Sequence, residues 1–237
     1  MHHFEVLNFV NLRLFGLDIS ISNSVVWMWL ATIGAFAFFW FSTQRRSIVP
    51  SRMQSLAELG FLFIRDMVRD NIGKEGERFF PYVLTLFFFI LSCNLLGLIP
   101  GSFTPTSQII VTGVFAVGVF LLSVGLGFKK HGLHFLSFFA PSGLPPLLLP
   151  LMVPIEIISF LARPVSLSVR LFANMTAGHT VLAVLIFFAA TLPWFVSWAP
   201  LSFSIALYGV EIFIGFIQAY IFSILTCVYI NDALHLH

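Results

Sequence analysis

Seven polar side chains stand out in the C-terminal half of a chain otherwise suited to lipid. Glu156, Arg163, Arg170, Asn174 and His179 follow one another closely, and Glu211 and Gln218 come later. A charge at the middle of a bilayer costs at least ~2.5–3.5 kcal/mol on insertion scales, so such residues usually face protein or water and usually serve a function. Arginine cannot escape that cost by losing its proton, because its pKa lies above ~12. Arg170 therefore acts as a permanent cation. Histidine titrates nearest neutrality, and a carboxylate beside it can tune it and accept its proton. The set offers two chemistries: a fixed charge that biases an opposing acid, and a histidine–carboxylate pair that passes a proton.

Spacing narrows the geometry. At ~100° per residue, Glu156, Arg163, Arg170 and Asn174 fall within about 40° of one another on a helix, while His179 falls nearly opposite Arg170. Downstream, Ser204, Glu211, Gln218 and Tyr229 form a second narrow stripe. A turn centred near Phe195 puts His179 and Glu211 each sixteen residues from it. A helical hairpin then brings these two to the same depth, and Arg170 to the level of Gln218. The plain alternatives are a neutral hydrogen bond between packed helices and an arginine paired only for packing. Arg170 has no acidic neighbour in sequence along the hairpin, so its counterion is expected from another subunit.

The elements that must position these groups are membrane helices. Of 237 residues, 59% are hydrophobic and 9% charged, against roughly 25% charged in a soluble domain. The expected fold class is an all-α polytopic membrane protein: upright transmembrane helices, one amphipathic surface helix and a hairpin of two long tilted helices. A net charge of +2, with no basic stripe, argues against nucleic acid as a partner. Cys93 and Cys227 lie in separate apolar segments and read as buried free thiols. His235 and His237 offer at most a weak metal site, and exposed tail histidines are the default reading; no metal or cofactor is expected.

Taken in order, residues 1–23 form a mixed N-terminal segment, and paired His2 and His3 are too few to be a tag. A span is expected at 24–41, with Trp27 and Trp29 as interfacial anchors. It lacks a basic n-region and an AxA-like cleavage site, so it reads as a retained span. Residues 51–70 place Met53, Leu56, Gly60, Phe63, Ile64 and Met67 at helical spacing opposite Gln54, Glu58, Arg65 and Arg69, an amphipathic helix for the membrane surface. Two further spans are expected at 79–99 and 108–128, joined by the breaker-rich turn PGSFTPTS. Nine of the twelve Lys and Arg residues fall at 45–78 or at Lys129 and Lys130. The positive-inside rule places both clusters on one side, with the N-terminus and the PGSFTPTS turn on the other, proton-rich side.

Residues 144–192 are a nearly unbroken apolar run containing Pro145, Pro146, Pro150, Pro154 and Pro164. As one helix it is ~73 Å long, against ~30 Å of hydrocarbon, so it must tilt, break or run along the membrane plane. The segment WFVSWA, bracketed by Pro193 and Pro200, reads as the turn, and 201–230 as the returning helix. The whole chain reads as one membrane domain.

Three ordered motifs carry a family resemblance: NLLGLIPGSFTPTS, then SLSVRLFANMTAGH, then IQAYIFSILTCVYINDALHLH. They closely resemble subunit a of F-type ATP synthases, most of all the alphaproteobacterial and mitochondrial branch, over essentially the whole chain from Ser24 onward. The resemblance implies a non-catalytic stator subunit of the Fo proton channel, which couples proton flow to ATP synthesis. It makes Arg170 the essential stator cation facing a rotating ring of c subunits, whose embedded carboxylates are the missing counterions. Asn174 and Gln218 match the polar neighbours of that arginine, His179 and Glu211 the pair at the half-channel open to the proton-rich side, and Glu156 an acid of the opposite half-channel. Arg163, Ser166 and Tyr229 are supporting candidates. Implied partners are the c-ring, peripheral-stalk b-type subunits, other Fo and F1 subunits, the lipid bilayer and protons. The implied location is an energy-transducing inner membrane, bacterial or mitochondrial. Two other classes share parts of this pattern. A secondary transporter often shows an internal repeat, and none is detectable here. A haem-dependent subunit usually shows two or more intramembrane histidines, and only His179 lies deep in an expected span.

Overall fold

Long apolar segments without water to bond their backbones fold as helices, the one open-chain form that satisfies every peptide group internally. A computed structural model of the chain describes residues 8–10, 13–14, 17–18, 20–44, 50–99, 102–132, 134–135 and 149–235. Arg45 and Arg46, the loop tip at Pro100 and Gly101, residues 144–148 and the tail histidine His237 lie outside the described residues.

Six α-helices dominate the described residues: α1 Asn23–Gln44, α2 Arg52–Ile72, α3 Phe80–Gly97, α4 Ile109–His131, α5 Leu149–Thr191 and α6 Trp194–Leu234. Before them come four strands of two or three residues, β1 Asn8–Val10, β2 Arg13–Leu14, β3 Leu17–Asp18 and β4 Ile21–Ser22. β1 pairs antiparallel with β4 and β2 with β3, so one small hairpin nests inside another. Sequence periodicity predicts no such strands, because each is too short to show alternation.

Five helices, all but α2, are long and apolar enough to cross a membrane. α2 has the composition of a half-buried helix: Ala57, Ile64, Met67, Val68 and Ile72 are buried, while Met53, Leu56, Leu59 and Leu62 are exposed. The Ser51 side chain caps its start by accepting from the Gln54 backbone N–H at 3.3 Å. Gly73 ends it at φ +80°, a backbone conformation that favours glycine.

α6 is the element against which α2, α3, α4 and α5 all pack, while α1 packs on α3 and α2. Phe87 of α3, Leu171 of α5, and Phe222 and Ile230 of α6 lie fully inside one shared core. Polar bonds pin the packing: Thr112 of α4 meets Ser168 of α5 at 3.1 Å, and Ser123 of α4 donates to the Tyr229 carbonyl at 3.0 Å.

The hairpin is tighter than its sequence suggests. WFVSWA is not a turn: α6 begins at Trp194, directly after Pro193 in the N-cap position, and Pro200 lies inside the helix. The residue before a proline is pushed out of helical geometry, so Leu192 is where α5 stops. The Ser197 hydroxyl closes the corner by donating to the Ala189 carbonyl. Pro200, like Pro154 and Pro164 in α5, forfeits one backbone bond without breaking its helix. At 43 and 41 residues the arms are about 64 and 62 Å long, so they cross ~30 Å of hydrocarbon only when steeply tilted.

Candidate functional site

α5 turns a stripe of Leu167, Ser168, Leu171, Met175 and Leu182 into the protein. That stripe decides where each polar group points. Arg170 lies off it and is exposed, between exposed Val169 and Ala173 and close to exposed Val165 and Ser166. Among the described residues, Arg170 makes no hydrogen bond or ion pair, and neither does Ser166 hydrogen-bond through its side chain. Glu156, two heptads earlier on the same stripe, is half-buried and likewise without an ion pair among the described residues.

Arg163 has the same residue type and register but a different setting. Its Nη1 donates to Asp232 Oδ2 at 2.8 Å, and its guanidinium stands 5.5 Å from the Phe160 ring centroid and 5.4 Å from that of Tyr229. Tyr229 therefore belongs to the surroundings of Arg163. Asp232 is a participant that sequence spacing misses. Depth counting from Phe195 pairs Arg163 with residue 227, and Asp232 lies five residues farther, about 7.5 Å along a helix. A long arginine side chain spans that offset.

One turn beyond Arg170, Asn174 Nδ2 donates to Gln218 Oε1 at 3.0 Å. Gln218 is 1% exposed, and its amide nitrogen has no hydrogen-bond partner. His179 and Glu211 meet, with Nδ1 and Oε1 3.8 Å apart, although the corner falls at Leu192 and Pro193 and not at Phe195, the centre assumed by the count. Glu211 is 4% exposed, and neither carboxyl oxygen accepts a hydrogen bond. Gly178 makes the approach feasible, because a Cβ there would collide with the Glu211 carboxyl group. Buried polar groups are nearly always paired, so a carboxyl without hydrogen bonds beside an imidazole is an exception within this fold.

The third wall comes from the segment between α3 and α4. His179 Nε2 sits 2.9 Å from the Thr104 hydroxyl. Thr106 donates to Asn94 Oδ1 at 2.8 Å, and Asn94 Nδ2 donates to the Gly215 carbonyl at 3.0 Å. The breakers of PGSFTPTS predict a turn without stating what it faces, and Thr104, Pro105, Thr106 and Ser107 are all buried. A usable signal is present in the sequence: the segment carries small hydroxyl residues and no charge. Ser204 is buried on α6, where its hydroxyl returns to the Pro200 carbonyl at 2.8 Å.

Cys93 and Cys227 are buried free thiols, and His235 Nδ1 lies 2.9 Å from Asn231 Oδ1. Among the described residues, no three His, Cys, Asp or Glu side chains gather as a metal site.

Known proteins supply the decisive comparison. The sequence model of a family described as ATP synthase A chain matches residues 25–231. The chain belongs to that family. ATP synthase subunit a of Magnetococcus marinus is 60% identical across 100% of this chain and 93% of its own length. The subunits a of Rhodospirillum rubrum and Pelagibacter ubique are 48% and 47% identical, each across 100% of this chain and 98% of theirs. Membership in the ATP synthase A chain family defines the class of activity, that of an Fo stator subunit involved in proton translocation, carried by a multi-pass membrane protein.

Proposed function

We propose that the chain supplies two proton half-channels to a rotating c-ring, with Arg170 as the fixed cation between them. The observation that carries this reading is Arg170 itself: a permanent charge, exposed on an apolar helix, with no ionic partner among the described residues. A cation left facing lipid is costly, and a partner subunit bearing an intramembrane carboxylate removes that cost. A ring of such subunits meets the requirement once per carboxylate.

The steps follow from charge. A proton from the proton-rich side passes by way of His179 and Glu211 and neutralises a ring carboxylate, which can then turn into lipid. When that acid returns, Arg170 favours its ionised form, since a nearby opposite charge lowers a carboxyl pKa. The proton departs past Glu156 to the negative side. Asn174 and Gln218, one turn from Arg170, offer polar contacts to the passing acid, and Arg163, Ser166 and Tyr229 support that face. The cation between the half-channels also blocks a direct leak. Each charge crossing is worth ~2.3 kcal/mol per 100 mV, so several are needed per ATP. Histidine is the side chain whose unperturbed pKa lies nearest neutrality, which suits a proton pathway better than a sodium one.

In this reading the whole chain is one membrane domain in an energy-transducing inner membrane. Its N-terminus and the 98–108 loop face the proton-rich side, and its basic clusters face the other. Its partners are the c-ring, peripheral-stalk b-type subunits and the remaining Fo and F1 subunits. The test is proton pumping per assembled complex in vesicles after Arg170→Ala. Coupled turnover should vanish with assembly intact, and passive leak should rise. Near-normal pumping by assembled complexes would falsify the reading.

A further inference from the structure

The segment joining α3 to α4 buries hydroxyl after hydroxyl, and one of them has two partners. Thr106 is used by Asn94, and Ser107 Oγ donates to the Thr104 carbonyl at 2.7 Å. The Thr104 hydroxyl lies 2.9 Å from His179 Nε2 and 3.3 Å from the Gly97 carbonyl. Thr104 is 5% exposed. Gly97 must lack a side chain for this arrangement, because a Cβ there would overlap the Thr104 side chain. The Gly97 carbonyl also accepts from Ser102 Oγ at 2.9 Å, so it remains paired whichever way the Thr104 proton points.

We propose that Thr104 is a positioning residue for proton passage: a hydroxyl that serves the His179 ring in each of its protonation states. The inference rests on the reading of His179 and Glu211 as a proton pathway. A threonine hydroxyl has one proton to give and two lone pairs to receive with. When Nε2 carries a lone pair, Thr104 donates to it. When Nε2 carries a proton, Thr104 accepts that proton's hydrogen bond and turns its own hydrogen to the Gly97 carbonyl. The ring keeps its place in both cases, with Nδ1 toward Glu211. A side chain with only a donor or only an acceptor leaves one state with an unpaired buried group, which is strongly disfavoured. The titratable groups around this hydroxyl are His179 on α5, Glu211 on α6 beyond it, and Tyr208 on α6, whose hydroxyl donates to the neighbouring Leu98 carbonyl at 2.6 Å. From α3 it meets Gly97, which cannot titrate.

The experiment compares Thr104→Val, which keeps shape and removes the hydroxyl, with Thr104→Ser, which keeps the hydroxyl and removes a methyl. ATP-driven pumping per assembled complex is measured in vesicles across a range of pH on the proton-rich side. Thr104→Val should lower pumping about fivefold, the factor expected from one net hydrogen bond, and should change the pH profile. Thr104→Ser should keep at least about half of the pumping, with the original profile. The opposite pattern, valine tolerated and serine impaired, overturns the inference and makes Thr104 a packing residue. If Thr104→Val fails to assemble, Thr104→Cys fills nearly the same space with a weak hydrogen-bonding group, and full pumping with an unchanged profile overturns the inference. His179→Ala is measured alongside. A dead His179→Ala with a normal Thr104→Val removes only the role of Thr104, whereas normal pumping by His179→Ala removes the pathway and the inference together.

Discussion

Arg163 and Arg170 sit seven residues apart on one stripe of one helix, yet the protein treats them in opposite ways. Arg163 is bonded to Asp232 and flanked by Phe160 and Tyr229. Arg170 stands exposed, with no ionic or hydrogen-bond partner among the described residues. A charge answered within its own chain joins two helices; a charge left unanswered in an apolar setting is the one the proposed function pairs with another subunit. The difference comes from the far helix. α6 carries an acid, Asp232, within reach of Arg163, while its Gln218 is bonded to Asn174, one turn beyond Arg170. The same residue type thus acts as a clamp in one place and, under the proposed function, as a reagent in the other.

The sharpest way to break that comparison is to keep the charge at position 170 and change its form. Arg170→Lys retains a cation but loses the planar donor fork, and an ammonium group can shed its proton on burial. Coupled pumping per assembled complex should fall by roughly 100-fold, the scale of a misplaced reacting group. Assembled Arg170→Lys complexes that pump normally would show that any cation suffices.

Arg163 should respond with stability before turnover. Arg163→Ala leaves Asp232 without its bond and should lower the thermal stability of the purified complex by ~1–2 kcal/mol, less than a fully buried charged hydrogen bond because the pair is partly exposed. Adding Asp232→Asn should recover part of that loss, and the non-additivity measures the coupling. Pumping per complex should stay within about twofold. A selective loss of pumping with stability unchanged would place Arg163 beside Arg170 as a reagent.

The smallest effect concerns an ion pair at the surface, where Lys130 Nζ meets Glu75 Oε2 at 2.8 Å. The hydrogen bond and charge of Lys130 hold the Glu75 carboxyl below its ordinary value of 4.5. A depressed carboxyl contributes stability above its ordinary value and loses that contribution as pH falls through its folded value. Glu75→Gln should leave neutral-pH melting nearly unchanged, because exposed pairs are screened, and should remove a slight stability difference between pH 7 and pH 4. A melting shift as large as that of Arg163→Ala would contradict the contrast between a clamp within the fold and a pair on its surface.

Much of this site was legible before any coordinates. Composition and the length of the apolar runs determined a helical membrane protein, because only satisfied backbones survive in lipid. The permanent charge of Arg170, and the lack of an acid near it in sequence along the hairpin, were likewise properties of the chain alone. Counting out from an assumed turn at Phe195 put His179 near the level of Glu211, and the two meet although Phe195 already lies inside α6. Tertiary structure decided what counting cannot reach. It made WFVSWA the start of α6, because Pro193 turns the residue before it out of helical geometry and the helix tolerates Pro200. It gave Asp232 to Arg163 through the reach of a long side chain across a five-residue offset. It also buried Phe103, Thr104, Pro105, Thr106 and Ser107, which sets Thr104 against His179. Breakers state that a chain turns, but whether the turn meets solvent or a histidine depends on the helices packed around it.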